Sequence, residues 1–254
     1  MGKQKINLVL ATPRCGGSYL TYAVGEGTGS ILQEPDNLRL ANGKHTSHKP
    51  WIAEEHDLRQ KVVASLDGDI DKTLEIISDN GIEWIKVLPI AGQKFIAHNL
   101  RTTTALTHSD RIDKIVVVHR EDLFKQALSY AISIKLNLWH GDSDLIRSQP
   151  PIGPIEEKGF IIRLNGIKYQ RSLINHACSD LDTSKVMRVK YEDHYTINDK
   201  QEYHWRKLFD FAGKDFPSTA LDKANSRKYN GEDTYATVDN FKELQQAFRR
   251  WTYE

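Results

Sequence analysis

The sequence has few cysteines, no long apolar run and almost no net charge. Cys15 and Cys178 are its two cysteines, too few for a disulfide framework, which favours a reducing compartment. The apolar run near the amino terminus, residues 6–11, is much shorter than a signal peptide's apolar region or a membrane span. We therefore expect a soluble, cytoplasmic protein that has no membrane partner.

The charges are nearly balanced, with 35 Lys and Arg against 34 Asp and Glu, a formal net charge of +1. This balance argues against the strongly basic surface of nucleic-acid-binding proteins, so no nucleic-acid partner is expected. Any anion must instead be bound by a local cluster of cations. Hydrophobic residues make up 39% of the 254 residues, which is enough for a core and too many for a disordered chain.

Short β-branched runs alternate along the chain with segments whose apolar residues have helical spacing. Strands are predicted at residues 5–11, 30–32, 83–87, 113–119 and 185–189, and helices at 19–24, 69–78, 121–136, 159–178 and 238–251. This alternation predicts an α/β fold in one domain, residues 1–254, with a mostly parallel central sheet flanked by helices in three layers. Such sheets bind ligands beyond the carboxyl ends of their strands.

One long segment, residues 138–158, contains three prolines and two glycines and lacks clear periodicity. A loop of this length without structure of its own is more often a lid or a binding loop than a plain connection. Two interpretations therefore stay open: a solvated surface connection, and a lid or acceptor-binding loop.

The turn after the first strand, Thr12-Pro13-Arg14-Cys15-Gly16-Gly17-Ser18, has the features of an anion site. Its paired glycines allow a tight turn, and the first amides of the following helix lack intrahelical partners. Arg14 adds fixed charge and Ser18 adds a hydroxyl. An ordinary glycine-rich turn is the alternative. The nucleoside-triphosphate signature G-x-x-x-x-G-K-[ST] is absent, because Gly-Ser-Tyr follows Gly16, so the loop suits a shorter anion held without a metal.

This segment resembles the P-R-[ST]-G-[ST]-x-x-L loop with which sulfotransferases hold the 5′-phosphosulfate of 3′-phosphoadenosine 5′-phosphosulfate (PAPS). The resemblance implies a P-loop-like fold and cofactor contacts from Arg14, Cys15, Gly16, Gly17, Ser18 and Tyr19. Cys15 and Gly17 depart from the pattern, since the family has Ser or Thr at both positions, and the hydroxyl is displaced to Ser18. We interpret Cys15 as a small residue that fits the turn rather than as a reactive thiolate.

The resemblance extends to a second anion site. Arg120 ends a predicted strand and Ser129 follows nine positions later on a predicted helix. Sulfotransferases use an arginine and a serine at this spacing to bind the 3′-phosphate of the cofactor. A guanidinium offers a planar fork of donors for phosphate, and the hydroxyl completes its shell. A capping ion pair is the alternative role for Arg120.

Two later segments also match the family. A basic turn before the last predicted helix corresponds to the family's 3′-phosphate-binding segment and contains Arg227, Lys228 and Gly231. A solvated basic turn is the alternative. Tyr191, in a Tyr-Glu-Asp run after a strand, resembles the tyrosine that lies against the adenine.

The resemblance also implies catalytic residues. Lys86 matches the lysine of the family's K-x-x-x-P-like segment and, with Arg14, would stabilise the leaving phosphate. Cytosolic sulfotransferases have a histidine base two residues after this lysine, but here the position is Leu88. The trehalose- and glycosaminoglycan-type branches use a glutamate about twenty residues after the loop, which points to Glu34 as the base. The reserve bases are His45 and His48; no Cys or carboxylate clusters with them, so no metal is expected.

The sequence thus predicts a PAPS-dependent sulfotransferase of the bacterial or carbohydrate-acting type, with 3′-phosphoadenosine 5′-phosphate (PAP) as product. Its acceptor would be a hydroxyl on a small molecule or carbohydrate. Aromatic residues that could stack against a sugar are Trp51, Tyr130 and Trp139, although core packing is the commoner fate. The alternatives are a small-molecule kinase with a degenerate phosphate loop and a nucleotide-binding protein without catalytic activity.

Overall fold

A computed structural model describes most of the chain. The described residues are 4–25, 31–33, 56–65, 69–89, 99–136, 152–196, 198–217, 219, 221, 235 and 237–253. Several residues singled out in the sequence lie outside this part: Glu34, His45, His48, Trp51, Trp139, Arg227, Lys228 and Gly231. Residues 138–151 of the segment predicted as a lid also lie outside it.

The centre of the protein is a five-stranded sheet in which all of the strand pairs are parallel. Its strands are β1 (Ile6–Ala11), β2 (Ile31–Gln33), β3 (Trp84–Val87), β4 (Ile112–His119) and β5 (Val186–Lys190). They are arranged in the order β2-β3-β1-β4-β5. The predicted α/β fold is confirmed, and each strand begins and ends within one residue of its prediction.

Residues of β1 alternate between two cores on opposite sides of the sheet. Leu8 and Leu10 pack into one cluster, while Val9 and Ala11 pack into the other, and all four are almost completely buried. A strand buried on both faces reads as a continuous apolar run, which is why residues 6–11 lack a polar alternation.

Helices cover both faces of the sheet. They are α1 (Gly17–Gly25), α2 (His56–Ser65), α3 (Ile70–Asp79), α4 (Leu100–His108), α5 (Leu123–Lys135), α6 (Glu157–Ala177), α7 (Tyr191–Tyr195), α8 (Gln201–Ala212) and α9 (Phe241–Tyr253). Five of them were predicted, and α2, α4, α7 and α8 were missed. Helix α6 begins at Glu157, so the last two residues of the segment predicted as a lid are helical. In the described part of the chain, no helix is long and apolar enough to cross a membrane.

The strand order places a crevice beside β1. After β1 the chain builds β2 and β3 on one side of it, then crosses to build β4 and β5 on the other. In a parallel sheet, the point where the order reverses leaves an opening at the carboxyl ends of the two flanking strands. The loops that carry Arg14 and Arg120 leave the carboxyl ends of β1 and β4, so both border this opening.

Candidate functional site

The turn between β1 and α1 depends on close packing around its two glycines. Gly16 has φ +84°, and a Cβ added there would lie 2.5 Å from Cε2 of Tyr195. A Cβ on Gly17 would lie 2.6 Å from the Cβ of Ala11. The Ser or Thr that sulfotransferases have at the position of Gly17 therefore has no room in this chain, which accounts for one of the two departures.

Tyr195 holds the same turn from the side of α7. Its hydroxyl donates a 2.8 Å hydrogen bond to the carbonyl oxygen of Gly16. Burial raises the pKa of Tyr195 well above its ordinary value, so the phenol stays protonated and able to donate. Helix α7 thus fixes the turn that the sequence predicts as an anion site.

Cys15 faces the interior of the protein. Its side chain is 1% exposed, and its Sγ donates to the carbonyl oxygen of Val118 at 3.4 Å. Burial raises the pKa of the Cys15 thiol, because the charged thiolate would lose its hydration. These facts agree with a packing role for Cys15, since its thiol is buried and protonated.

Lys86 and Ser18 meet at the edge of the sheet. The Nζ of Lys86, a residue only 4% exposed, donates to Oγ of Ser18 at 2.6 Å. Lys86 lies on β3 beside Val9 of β1, so the sheet register brings this cation to the start of α1. The structure therefore brings together two of the residues that the sequence assigned to phosphosulfate binding and leaving-group stabilisation.

Two residues that the sequence analysis missed support Ser18 from the side of β2. Gln33 donates from Nε2 to the carbonyl oxygen of Ser18 at 2.9 Å. The guanidinium of Arg59, a completely buried side chain on α2, donates from Nη1 to the carbonyl oxygen of Gln33 at 2.6 Å. No sequence motif marks either contact, because each joins residues distant in the chain and its acceptor is a backbone carbonyl, which every residue has.

The two predicted anion sites are in direct contact. Nε of Arg14 donates to Oγ of Ser129 at 3.1 Å, although 115 positions separate the two residues in the chain. Ser129 lies on α5, the helix that follows β4, and is 3% exposed. The loop after β1 and the helix after β4 are therefore in direct contact beside the opening.

Arg120 is a buried cation with a hydrogen-bond donor to spare. It is 6% exposed, and its Nη2 donates to the hydroxyl of Tyr235 at 3.3 Å. Its Nε has no hydrogen-bond partner in the described part of the chain. The carboxylate of Glu192 lies 4.0 Å from this Nε, at ion-pair distance, and accepts hydrogen bonds from the amides of Glu121 and Asp122. A buried guanidinium with an unused N–H donor is suited to bind an anion, which would accept that hydrogen bond.

Tyr191 directly follows β5 and packs against two neighbours. The guanidinium carbon of Arg120 lies 4.5 Å from the centre of its ring. The ring also stacks on Tyr195, with centroids 4.7 Å apart and planes inclined by 23°. Tyr191 therefore orients Arg120 through a cation–π contact, and its contact with adenine stays a prediction.

Comparisons by sequence find no relative, since no protein-family model and no curated protein matches the chain. Solved structures do match. A sulfotransferase domain from the curacin biosynthetic pathway covers 99% of this chain and 98% of its own length, at 13% identity and a TM-score of 0.52. A sulfotransferase domain from the Synechococcus PCC 7002 olefin synthase covers 100% of this chain and 97% of its own, at 13% identity and a TM-score of 0.51. Over nearly its whole length, the chain has the fold of these sulfotransferase domains.

Proposed function

We propose that this protein is a PAPS-dependent sulfotransferase that acts on a hydroxyl of a small molecule or carbohydrate. The observation that carries the proposal is the 3.1 Å contact between Arg14 and Ser129, because it joins the two anion sites that the resemblance to sulfotransferases assigns to the two ends of one nucleotide. The fold shared with sulfotransferase domains supports the same conclusion.

The residues at the opening fit the proposed cofactor. PAPS carries a phosphosulfate at one end of adenosine and a phosphate at the other. Arg14, Lys86 and the amides at the start of α1 would hold the phosphosulfate. Arg120, whose Nε makes no hydrogen bond to the described residues, and Ser129 would hold the 3′-phosphate. The basic turn with Arg227, Lys228 and Gly231, outside the described residues, would add further contacts.

The proposed chemistry needs charge stabilisation and a base. PAPS would supply the sulfuryl group, and its transfer to the acceptor oxygen would leave PAP as product. Lys86 and Arg14 would supply fixed positive charge that stabilises the leaving phosphate. Ser18 accepts the hydrogen bond of Lys86 and keeps its Nζ at the loop. Glu34, directly after β2, would take the proton of the acceptor hydroxyl.

Calorimetry separates this function from its two rivals. The protein is titrated with PAP and with ATP, each with and without Mg²⁺, and is then incubated with labelled PAPS and a panel of hydroxyl acceptors. A sulfotransferase binds PAP far better than ATP without needing Mg²⁺, and transfers label. Mg²⁺-dependent turnover of ATP would support the kinase instead. Tight PAP binding with no label transferred across the panel would support a nucleotide-binding protein without catalytic activity.

A further inference from the structure

A buried glutamine lies between the two anion sites. Gln126, on α5, is completely buried, and its Nε2 donates to Oγ1 of Thr12 at 2.7 Å and to the carbonyl oxygen of Pro13 at 2.6 Å. Both acceptors belong to the turn after β1 and directly precede Arg14. The glutamine therefore uses both amide hydrogens to fix the backbone that carries the first anion site.

An arginine on another helix completes the link. Arg171, on α6, donates from Nη2 to Oε1 of Gln126 at 2.6 Å and also to the carbonyl oxygen of Arg120. Arg120 is the cation of the second site. A continuous series of hydrogen bonds thus runs from the backbone of one anion site to the backbone of the other.

We infer that Gln126 and Arg171 are positioning residues that set the distance between the two sites, and that this distance selects nucleotides with phosphate at both ends of adenosine over those with phosphate at one end. The inference rests on the proposed function. Neither residue needs to touch the nucleotide, because each acts through the backbone beside Arg14 or Arg120.

The physical basis is preorganisation. A ligand that occupies both sites gains from both only if they are already held at the right separation, since ordering them during binding costs free energy. A nucleotide with a single phosphate uses one site and does not depend on that separation. Loosening the link should therefore weaken binding of the bisphosphate selectively, whereas general damage to the fold would weaken every nucleotide.

The test compares three nucleotides on four proteins. PAP, adenosine 5′-phosphate and adenosine 3′-phosphate are titrated by calorimetry into the unaltered protein, Arg171→Ala, Gln126→Leu and the control Arg188→Ala. Arg188 is an exposed arginine on β5 that donates to Oδ1 of Asn175. The two test variants cut the link at different points. Gln126→Leu is similar in volume and adds no unpaired amide of its own, while Oγ1 of Thr12 and the carbonyl oxygen of Pro13 lose their donor.

In both test variants we expect the affinity for PAP to fall about tenfold, the equivalent of one hydrogen bond to a charged group. The affinities for the two monophosphates should fall much less, because each uses only one site, and all three affinities should stay unchanged in Arg188→Ala. Equal losses for all three nucleotides, or an unchanged preference for PAP, would overturn the inference and leave the proposed function intact. An unaltered protein with no preference for PAP would refute the proposed function and this inference together.

Discussion

Replacing Arg120 with alanine removes the cation of the second anion site. The side chain is 6% exposed and its position is set by the hydroxyl of Tyr235 at 3.3 Å and the ring of Tyr191 at 4.5 Å. The alanine variant loses a pair of donors that is already oriented. Because Arg120 needs little ordering when phosphate binds, most of its interaction free energy contributes to affinity. The hydroxyl of Tyr235 also loses a partner, at a cost to stability of about 1 kcal/mol.

The expected loss follows from the chemistry of an arginine–phosphate contact. One hydrogen bond between charged groups contributes roughly 1.5–3 kcal/mol, so two parallel bonds contribute at least about 3 kcal/mol. That free energy corresponds to a PAP affinity at least about 100-fold weaker. Adenosine 5′-phosphate has no phosphate for this site, so its affinity should not change.

The strand itself provides a matched control. Arg111 precedes β4 at its amino end, and its Nη2 pairs with Oε1 of Glu75 at 2.7 Å. Arg111→Ala removes the same side chain from the opposite end of the same strand, so it should leave both nucleotide affinities unchanged. The measurement is calorimetric titration of both variants with PAP and with adenosine 5′-phosphate, with thermal melts to verify folding. If PAP binds Arg120→Ala as tightly as the unaltered protein, the assignment of the second anion site is wrong.

Three more predictions concern the base, the turn and the response to acid. Glu34→Gln should keep the affinity for PAP and reduce sulfuryl transfer, because the amide cannot take the proton of the acceptor; transfer at the original rate would move the base to His45 or His48. Gly16→Ala should lower the free energy of unfolding, measured with denaturant, by more than Gly81→Ala does. Both glycines have positive φ, but only at Gly16 would the new Cβ meet a neighbour. Similar losses of unfolding free energy in the two variants would show that the ring of Tyr195 shifts to make room for the Cβ. Burial lowers the pKa of His194 to about 4, so the unfolded chain takes up a proton first as the pH falls. The stability that neutral His194 confers is complete above about pH 6.5 and falls by about 3 kcal/mol towards pH 4. His194→Gln should flatten the plot of unfolding free energy against pH between these values. An unchanged plot would contradict the assignment of this loss of stability to His194.

The strands could be predicted because burial on both faces leaves a plain signal in the sequence. Runs such as residues 6–11 and 115–118 are apolar almost throughout, and charged or turn-forming residues flank them. Helix α4 shows the opposite case. Its sequence, LRTTTALTH, is rich in β-branched threonine, which disfavours helix, yet a capping box between Asn99 and Thr102 starts the helix there.

The candidate site was predictable only as far as its chemistry is local. Arg14 and Ser18 lie in one short turn, and the resemblance supplied their partners Lys86 and Ser129. The supporting contacts could not be predicted, since Gln126 bonds a carbonyl oxygen 113 positions away. Hydropathy patterns likewise treat an arginine as a surface residue, so the complete burial of Arg59 leaves no trace in the sequence.

Arg14 has φ +63°, a left-handed conformation that residues with a side chain seldom adopt. Holding it there costs about 1 kcal/mol or more, which the rest of the fold must offset. Glycine would relax this backbone but would remove the guanidinium. Selection for thermal resistance alone would therefore favour loss of this arginine, so a library screened for heat tolerance should also be screened for nucleotide binding.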